Sequence, residues 1–186
     1  MLKVLGGEWR GRTLRTAPDP RTRPSSSRLR EALFSVLGPL TGPVADLFAG
    51  SGSLGIEALS RGATHVTFVE LDPRAVRTIR TNLETLDIPR DRWVVRRGDA
   101  RRWLARLRET TDPPVETILA DPPYVEDIAA QFLPTAARLI HSGRIRRFVL
   151  EHPAVAELPL LTETDLQVRT REIGSSAFTC LETATP

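Results

Sequence analysis

From Pro43 onward the chain alternates short apolar runs with longer stretches whose apolar residues recur at helical spacing. The runs fall at 44–48, 66–69, 93–95, 117–120 and 148–150. Their near-continuous hydrophobicity suits strands buried on both faces. The helical stretches fall between them at 54–61, 73–86, 100–108 and 127–141. Strands and helices in this order predict a mostly parallel sheet with helices on both sides. The last part breaks the alternation. Residues 166–173 and 177–182 flank Gly174-Ser175, which predicts a hairpin and hence an antiparallel C-terminal strand. The expected fold class is α/β, with a doubly wound sheet.

Ahead of this body, Leu2, Val4, Trp9 and Leu14 form short extended runs around Gly6-Gly7. They predict a small N-terminal β-hairpin extension. Residues 16–27 are rich in Pro, Ser and Arg without an apolar period, which predicts a loop. Ser27 is placed to cap a helix ending near Leu37, with Ala32, Leu33, Val36 and Leu37 as its apolar face. Arg30 stands where a capping box has Glu. The expected organisation is a basic, RNA-binding hairpin and loop over 1–24 and one larger domain over 25–186.

Length and composition fit that organisation. A chain of 186 residues is one domain at roughly 150 residues each. It can bury about 70% of its unfolded surface and needs no disulfide or metal to hold a core. No apolar run is long enough to span a membrane. Residues 1–10 lack the apolar core of a signal peptide, so a cytoplasmic protein is expected. Cys180 is the only cysteine, and His65, His141 and His152 show no metal-ligand spacing, so no metal is expected. The net charge is +3, but the first 30 residues carry +6 and the remainder −3. An arginine-rich patch of this kind suits a phosphate-rich partner. Lys3 is the only lysine, so a merely arginine-rich surface would read similarly.

Four places carry candidate chemistry. Asp46-Leu47-Phe48-Ala49-Gly50-Ser51-Gly52-Ser53-Leu54-Gly55 takes a strand through a Gly-rich turn into a helix. The spacing of Gly50, Gly52 and Gly55 lets backbone pass close to a nucleotide-like ligand, NAD or another adenosine cofactor. Glu70 ends the second strand 20 residues after Gly50, where an acid can take both hydroxyls of a ribose. Asp99, in Gly98-Asp99-Ala100, can accept from an adenine amine or cap the next helix. Asp121-Pro122-Pro123-Tyr124 follows the fourth strand. An Asp carboxylate beside the carbonyl of a residue without an N–H makes a two-acceptor fork for a planar NH2 group. Tyr124 offers a face for stacking a base.

Together these motifs resemble class I S-adenosylmethionine-dependent methyltransferases that act on exocyclic amines. The front of the chain narrows the resemblance. Thr22-Arg23-Pro24-Ser25 followed by Arg28-Leu29-Arg30-Glu31-Ala32-Leu33-Phe34 resembles the T-R-P-T-x-x-R-x-R-E-x-L-F signature of the RsmD-type 16S rRNA guanine-N2 methyltransferases. The N-terminal hairpin and residues 54–63 match as well, so the resemblance runs from about 2 to 182. Ser25 stands where Thr is usual, and Ser27 where Asp is common.

The resemblance implies a Rossmann-like class I methyltransferase sheet with S-adenosylmethionine as cofactor. Its acceptor would be N2 of the guanine numbered 966, in 16S rRNA of the small subunit or a late assembly particle. The cofactor wall it implies comprises Asp46, Phe48, Ala49, Gly50, Ser51, Gly52, Gly55, Glu70, Leu71, Asp99 and Ala100. Asp46 would support the methionine ammonium, Glu70 the ribose and Asp99 the adenine amine. Asp121 and the Pro122 carbonyl would hold the target amine while Tyr124 stacks the flipped base. Arg10, Arg12, Arg21, Arg23, Arg28 and Arg30 would grip RNA phosphates, and the protein is expected to be a monomer. Rival readings are a DNA adenine-N6 or cytosine-N4 methyltransferase, a protein-glutamine methyltransferase, and an RNA-binding assembly factor with a relic pocket. The DNA reading lacks a large target-recognition domain. An NAD enzyme has no use for the Asp-Pro-Pro-Tyr turn.

Overall fold

The computed structural model describes residues 2–16, 27–107, 115–123, 128–163 and 165–183. Two short strands, β1 (Leu2–Lys3) and β2 (Thr13–Leu14), precede helix α1 (Ser27–Leu37). Then come β3 (Val44–Leu47), α2 (Ser53–Ser60), β4 (Val66–Glu70), α3 (Pro73–Thr85), β5 (Trp93–Arg97) and α4 (Ala100–Arg106). The chain continues through β6 (Thr117–Ala120), α5 (Ile128–His141), β7 (Arg147–Pro153), β8 (Leu166–Ile173) and β9 (Ser176–Thr183).

β3 to β9 form a seven-stranded sheet in the order β5-β4-β3-β6-β7-β9-β8. Every pairing from β5 to β7 is parallel. β9 slots between β7 and its own hairpin partner β8 and runs antiparallel to both. The mostly parallel sheet with one reversed C-terminal strand is therefore present. Two apolar layers cover it. α1, α2 and α3 pack through residues such as Phe34, Ile56 and Ile79 on one face. α4 and α5 pack through Leu104, Phe132 and Leu133 on the other.

Local sequence explains the helix entries. Asp72 caps α3 by accepting from the Arg74 N–H at 2.8 Å, and Pro73 starts the helix with its φ already set. Apolar Ala75, Val76, Ile79 and Leu83 then line the buried stripe at helical spacing. Asn82 lies buried in the same stripe.

One expectation needs correction. In α1 the buried residues are Leu29, Arg30, Leu33, Phe34 and Leu37, while Ala32 and Val36 are only half-buried. The stripe is rotated because Phe34 and Leu37, spaced at i+4 and i+7 from Arg30, are the residues that reach the core. The expected N-terminal hairpin is present and packs onto the body. β1 and β2 pair over two residues each, and Leu2, Val4, Trp9 and Leu14 belong to the sheet's own core. Its loop is bound to α2. The Leu5 N–H donates to Glu57 Oε2 at 2.7 Å, the Trp9 N–H to Ser60 Oγ at 2.9 Å and the Glu8 N–H to the Ser60 carbonyl at 2.8 Å. The expected boundary at 24/25 falls outside the described residues. Among the described residues no helix is long and apolar enough to cross a membrane.

Candidate active site

β3 is flanked by β4 on one side and β6 on the other, so strand order reverses between β3 and β6. Open α/β sheets bind ligands at the carboxyl ends of their strands at this point. The register pairs Leu47 with Ala120, and the Asp121 N–H donates to the Leu47 carbonyl at 3.4 Å. The Gly-rich turn and Asp121 therefore emerge side by side. Phe48 leaves β3 with φ of 61°, a left-handed conformation that a bulky residue rarely adopts. Gly52 begins α2 at φ of 79°, which its lack of Cβ permits. Gly55 has a different reason: a Cβ there would overlap the Phe68 ring, so only glycine lets α2 lie this close to β4.

Carboxylates dominate the polar chemistry of the turn. Glu70 accepts three backbone N–H groups, from Gly50 at 2.7 Å, Leu71 at 2.7 Å and Asp72 at 2.8 Å. Asp46 is buried and accepts from the Gly55 N–H at 2.9 Å. Burial pushes its carboxyl up to about 8; the Gly55 hydrogen bond opposes this, and the Asp121 and Glu70 charges add to it. Pro122 is buried beside half-buried Asp121.

Several backbone donors of the turn are engaged. The Gly50 and Gly55 N–H groups serve Glu70 and Asp46, and the Gly52 N–H serves the Ala49 carbonyl at 2.6 Å. A ligand with hydroxyls and positive charge, such as S-adenosylmethionine, would meet the acceptors of Glu70 and Asp46 here. Among the described residues, no three His, Cys, Asp or Glu side chains are grouped to hold a metal.

The other expected residues divide. Ala49 and Ala100 are buried, Phe48 and Ser51 half-buried, and Leu71 exposed. Asp99 caps α4, accepting from the Arg101 N–H at 2.8 Å and the Arg102 N–H at 3.1 Å. Of its two expected roles, the cap is the one present in the structure. Tyr124, Arg21 and Arg23 lie outside the described residues. Arg10, Arg12 and Arg28 are exposed, and Arg12 Nη2 also donates to the Thr85 carbonyl at 3.1 Å.

Arg30 corrects the expectation of a phosphate-gripping surface residue. It is fully buried, because its place on the apolar stripe of α1 turns it inward, and Nη2 donates to the Lys3 carbonyl at 3.1 Å. Sequence reasoning missed Glu151, a buried acid two residues before the end of β7, and Asn82, a polar residue in an apolar helical stripe. Asn82 Nδ2 donates to the Ser51 carbonyl at 2.9 Å and so braces the turn.

The fold and this wall of acceptors define a class I methyltransferase architecture. Within that class, the chain belongs to the family described as Conserved hypothetical protein 95, whose model matches residues 2–182. It is 39% identical to YlbH of Bacillus subtilis (strain 168) over 166 residues, 85% of this chain and 86% of the relative. It is 38% identical to Ribosomal RNA small subunit methyltransferase D of Escherichia coli (strain K12) over 125 residues, 66% of this chain and 60% of that one. Among solved structures it resembles yhhF from Escherichia coli, with a TM-score of 0.77, 27% identity and coverage of 100% and 99% of the two chains. The hypothetical protein TTHA0928 of Thermus thermophilus gives a TM-score of 0.76 at 30% identity, covering 98% and 100%.

Proposed function

We propose that this protein transfers a methyl group from S-adenosylmethionine to the exocyclic N2 of a guanine in 16S rRNA, the guanine numbered 966 in the family signature it resembles. The observation that carries the proposal is the position of Asp121-Pro122. This acceptor turn stands at the switch point, one strand away from the carboxylate wall that suits the cofactor. The name of the Escherichia coli relative supports RNA of the small subunit as the acceptor.

In this reading Glu70 holds the ribose hydroxyls with the lone pairs its three backbone donors leave free. Asp46 supports the ammonium of the methionine part, and Gly50 and Gly52 allow close backbone approach. When bound, S-adenosylmethionine supplies an electrophilic methyl group. The target base leaves its stack, which costs a few kcal/mol and least in an open loop. Tyr124 stacks it. The Asp121 carboxylate and the Pro122 carbonyl accept hydrogen bonds from the two N2–H groups and turn the amine lone pair toward the incoming carbon. After transfer, the extra proton on N2 passes to the Asp121 carboxylate or to water. Most of the rate comes from positioning and fixed charge rather than from a strong base. Exposed Arg10, Arg12 and Arg28, with Arg21 and Arg23, hold RNA phosphates. The partner is the small subunit or a late assembly particle in the cytoplasm, met by a monomer.

The test is transfer of labelled methyl to unmethylated small subunits, naked 16S rRNA and duplex DNA in parallel, with Asp121→Ala as control. Label in one guanine of the subunit, recovered as N2-methylguanosine and absent with the control, is the expected result. Label in DNA alone would keep the amine chemistry and overturn the rRNA acceptor.

A further inference from the structure

Residues 73–106 carry a net charge of +6, as much as the first 30 residues, while the rest of the chain carries −9. The fold gathers this second basic stretch at one side of the molecule. It comprises α3, β5 and α4, and β5 is an edge strand of the large sheet. α3 packs on β5, and α4 lies on the opposite face of the sheet. Along β5, Trp93 and Val95 enter the core under α3, so Arg97 shares their side and Arg96 takes the side of α4.

Arg80, Arg96, Arg97 and Arg102 are exposed, and their side chains have no hydrogen-bond or ion-pair partner among the described residues. Other arginines of the body serve the fold: Arg61 pairs with Glu57, Arg146 with Glu116, and Arg147 and Arg169 with Glu182. Charges on β5 alone would guard an open sheet edge against another strand. That explains neither Arg80 on α3 nor Arg102 on α4.

The two basic stretches form one surface. Arg12 Nη2 donates to the carbonyl of Thr85, the last residue of α3, at 3.1 Å, and the Arg15 N–H donates to Asn82 Oδ1 of the same helix at 2.8 Å. The surface also reaches the site, since Arg97 is the register partner of Glu70. Residues 107–186, which build the opposite half of the sheet, carry −5. A polyanion is thus drawn to the β5 side and repelled from the β8 side. Guanidinium groups match phosphate oxygens through two parallel N–H donors.

Resting on the rRNA reading above, we propose that the α3–β5–α4 edge is a second RNA-binding face, on which Arg80, Arg96, Arg97 and Arg102 hold phosphates of the rRNA. The RNA runs from the N-terminal segment across α3 to the β5 edge. These contacts set affinity and register, while base contacts stay with the acceptor turn.

The test compares two triple variants that lose the same charge. One is Arg96→Gln, Arg97→Gln and Arg102→Gln on the proposed face. The other is Arg138→Gln, Arg144→Gln and Arg171→Gln on the far half. Binding to naked 16S rRNA is measured across salt concentrations, and methyl transfer to unmethylated small subunits is followed in parallel. The first triple is expected to lose at least tenfold in rRNA affinity. Its log–log salt slope should become shallower by about two, at roughly 0.7–0.9 per phosphate contact. Its KM for subunits should rise at least tenfold while kcat stays within threefold. The second triple should stay within threefold of wild type throughout. Equal losses in both triples, or none in the first, would overturn the proposal. So would a loss on subunits without one on naked rRNA, which would assign the face to a ribosomal protein. S-adenosylhomocysteine binding checks folding. If the first triple fails it, Arg80→Gln with Arg102→Gln, both on helix surfaces, decides by the same comparison. A wild-type protein that neither binds nor methylates rRNA would instead sink the reading beneath this one.

Discussion

At the β3–β4 half of the sheet's carboxyl edge, backbone N–H groups of Gly50, Gly55, Leu71 and Asp72 all end on Glu70 or Asp46. At the β6–β7 half, Arg30 keeps two buried donors with no acceptor among the described residues. The first half is assembled by its own hydrogen bonds, so the turn proposed to face the cofactor is preformed. In the second half, Nη2 alone of the Arg30 guanidinium nitrogens is hydrogen-bonded within the described residues, to the Lys3 carbonyl. Preorganisation favours binding because ordering is already done.

Asp121→Ala gives the sharpest separation of the two halves. Methyl transfer should fall by about 10²–10³-fold, the scale of removing one fixed electrostatic contact to a reacting group. Affinity for S-adenosylhomocysteine, measured by calorimetry, should stay within a few-fold. An equal collapse of affinity would show that the halves are not separable.

Stability should respond in opposite ways on the two sides. Glu70→Ala leaves three N–H groups without their carboxylate and should cost about 1.5–3 kcal/mol. For a chain of this size the thermal midpoint then drops by roughly 2–4 °C per kcal/mol. Arg30→Met replaces a guanidinium with two unmatched donors by an apolar side chain of similar length. Such exchanges are often neutral or stabilising, so its midpoint should hold or rise. A large drop in the Arg30→Met midpoint would mean that the guanidinium is structural.

What could be read in advance follows from how local each signal is. The Gly50–Gly55 turn was legible because left-handed backbone and close helix–strand approach demand glycine whatever surrounds them. Glu70 was placed by its spacing from the turn, though its three backbone donors depend on where β4 ends. Asp99 fitted two roles because both use the same carboxylate; the cap, through the N–H groups of Arg101 and Arg102, is the one the structure shows. Arg30 was read as surface from its charge. Yet Arg30, Leu33, Phe34 and Leu37 share one helical face at i, i+3, i+4 and i+7, and that spacing outweighs residue type. Glu151 escaped notice because its place beside Asp121 lies in the register between β6 and β7, which no single segment encodes.

The preformed half also predicts a pH dependence. Asp46 titrates near 4 in the unfolded chain and at about 8 in the folded one. Between those values the folded protein binds a proton that the unfolded chain lacks. The contribution of this group to stability is therefore complete below about pH 4 and is lost as pH rises through about 8. Thermal midpoints of the ligand-free protein should fall across that window, and Asp46→Asn should flatten the slope, since its amide oxygen still accepts from Gly55. A cationic ligand favours the ionised form, so binding near neutral pH should release a proton, detectable in buffers of different ionisation enthalpy.

The smallest expected effect tests how far the preformed half extends. Asn82 is buried; its Oδ1 accepts from the Arg15 N–H at 2.8 Å, and its Nδ2 donates to the carbonyls of Arg15 at 3.0 Å and Ser51 at 2.9 Å. One side-chain amide thus joins the N-terminal segment to the Gly-rich turn. Asn82→Ala removes all three bonds, but Arg15 is exposed and water can take over its two, so the loss should be near 1 kcal/mol. Amide hydrogen exchange locates that loss. If the side chain couples the two segments, protection should fall both at 13–16 and at 50–52. Loss at 13–16 alone would show that the turn stands on Glu70 and Asp46 without this brace. The preformed half would then end at the sheet edge, and Asn82 would serve the N-terminal segment alone.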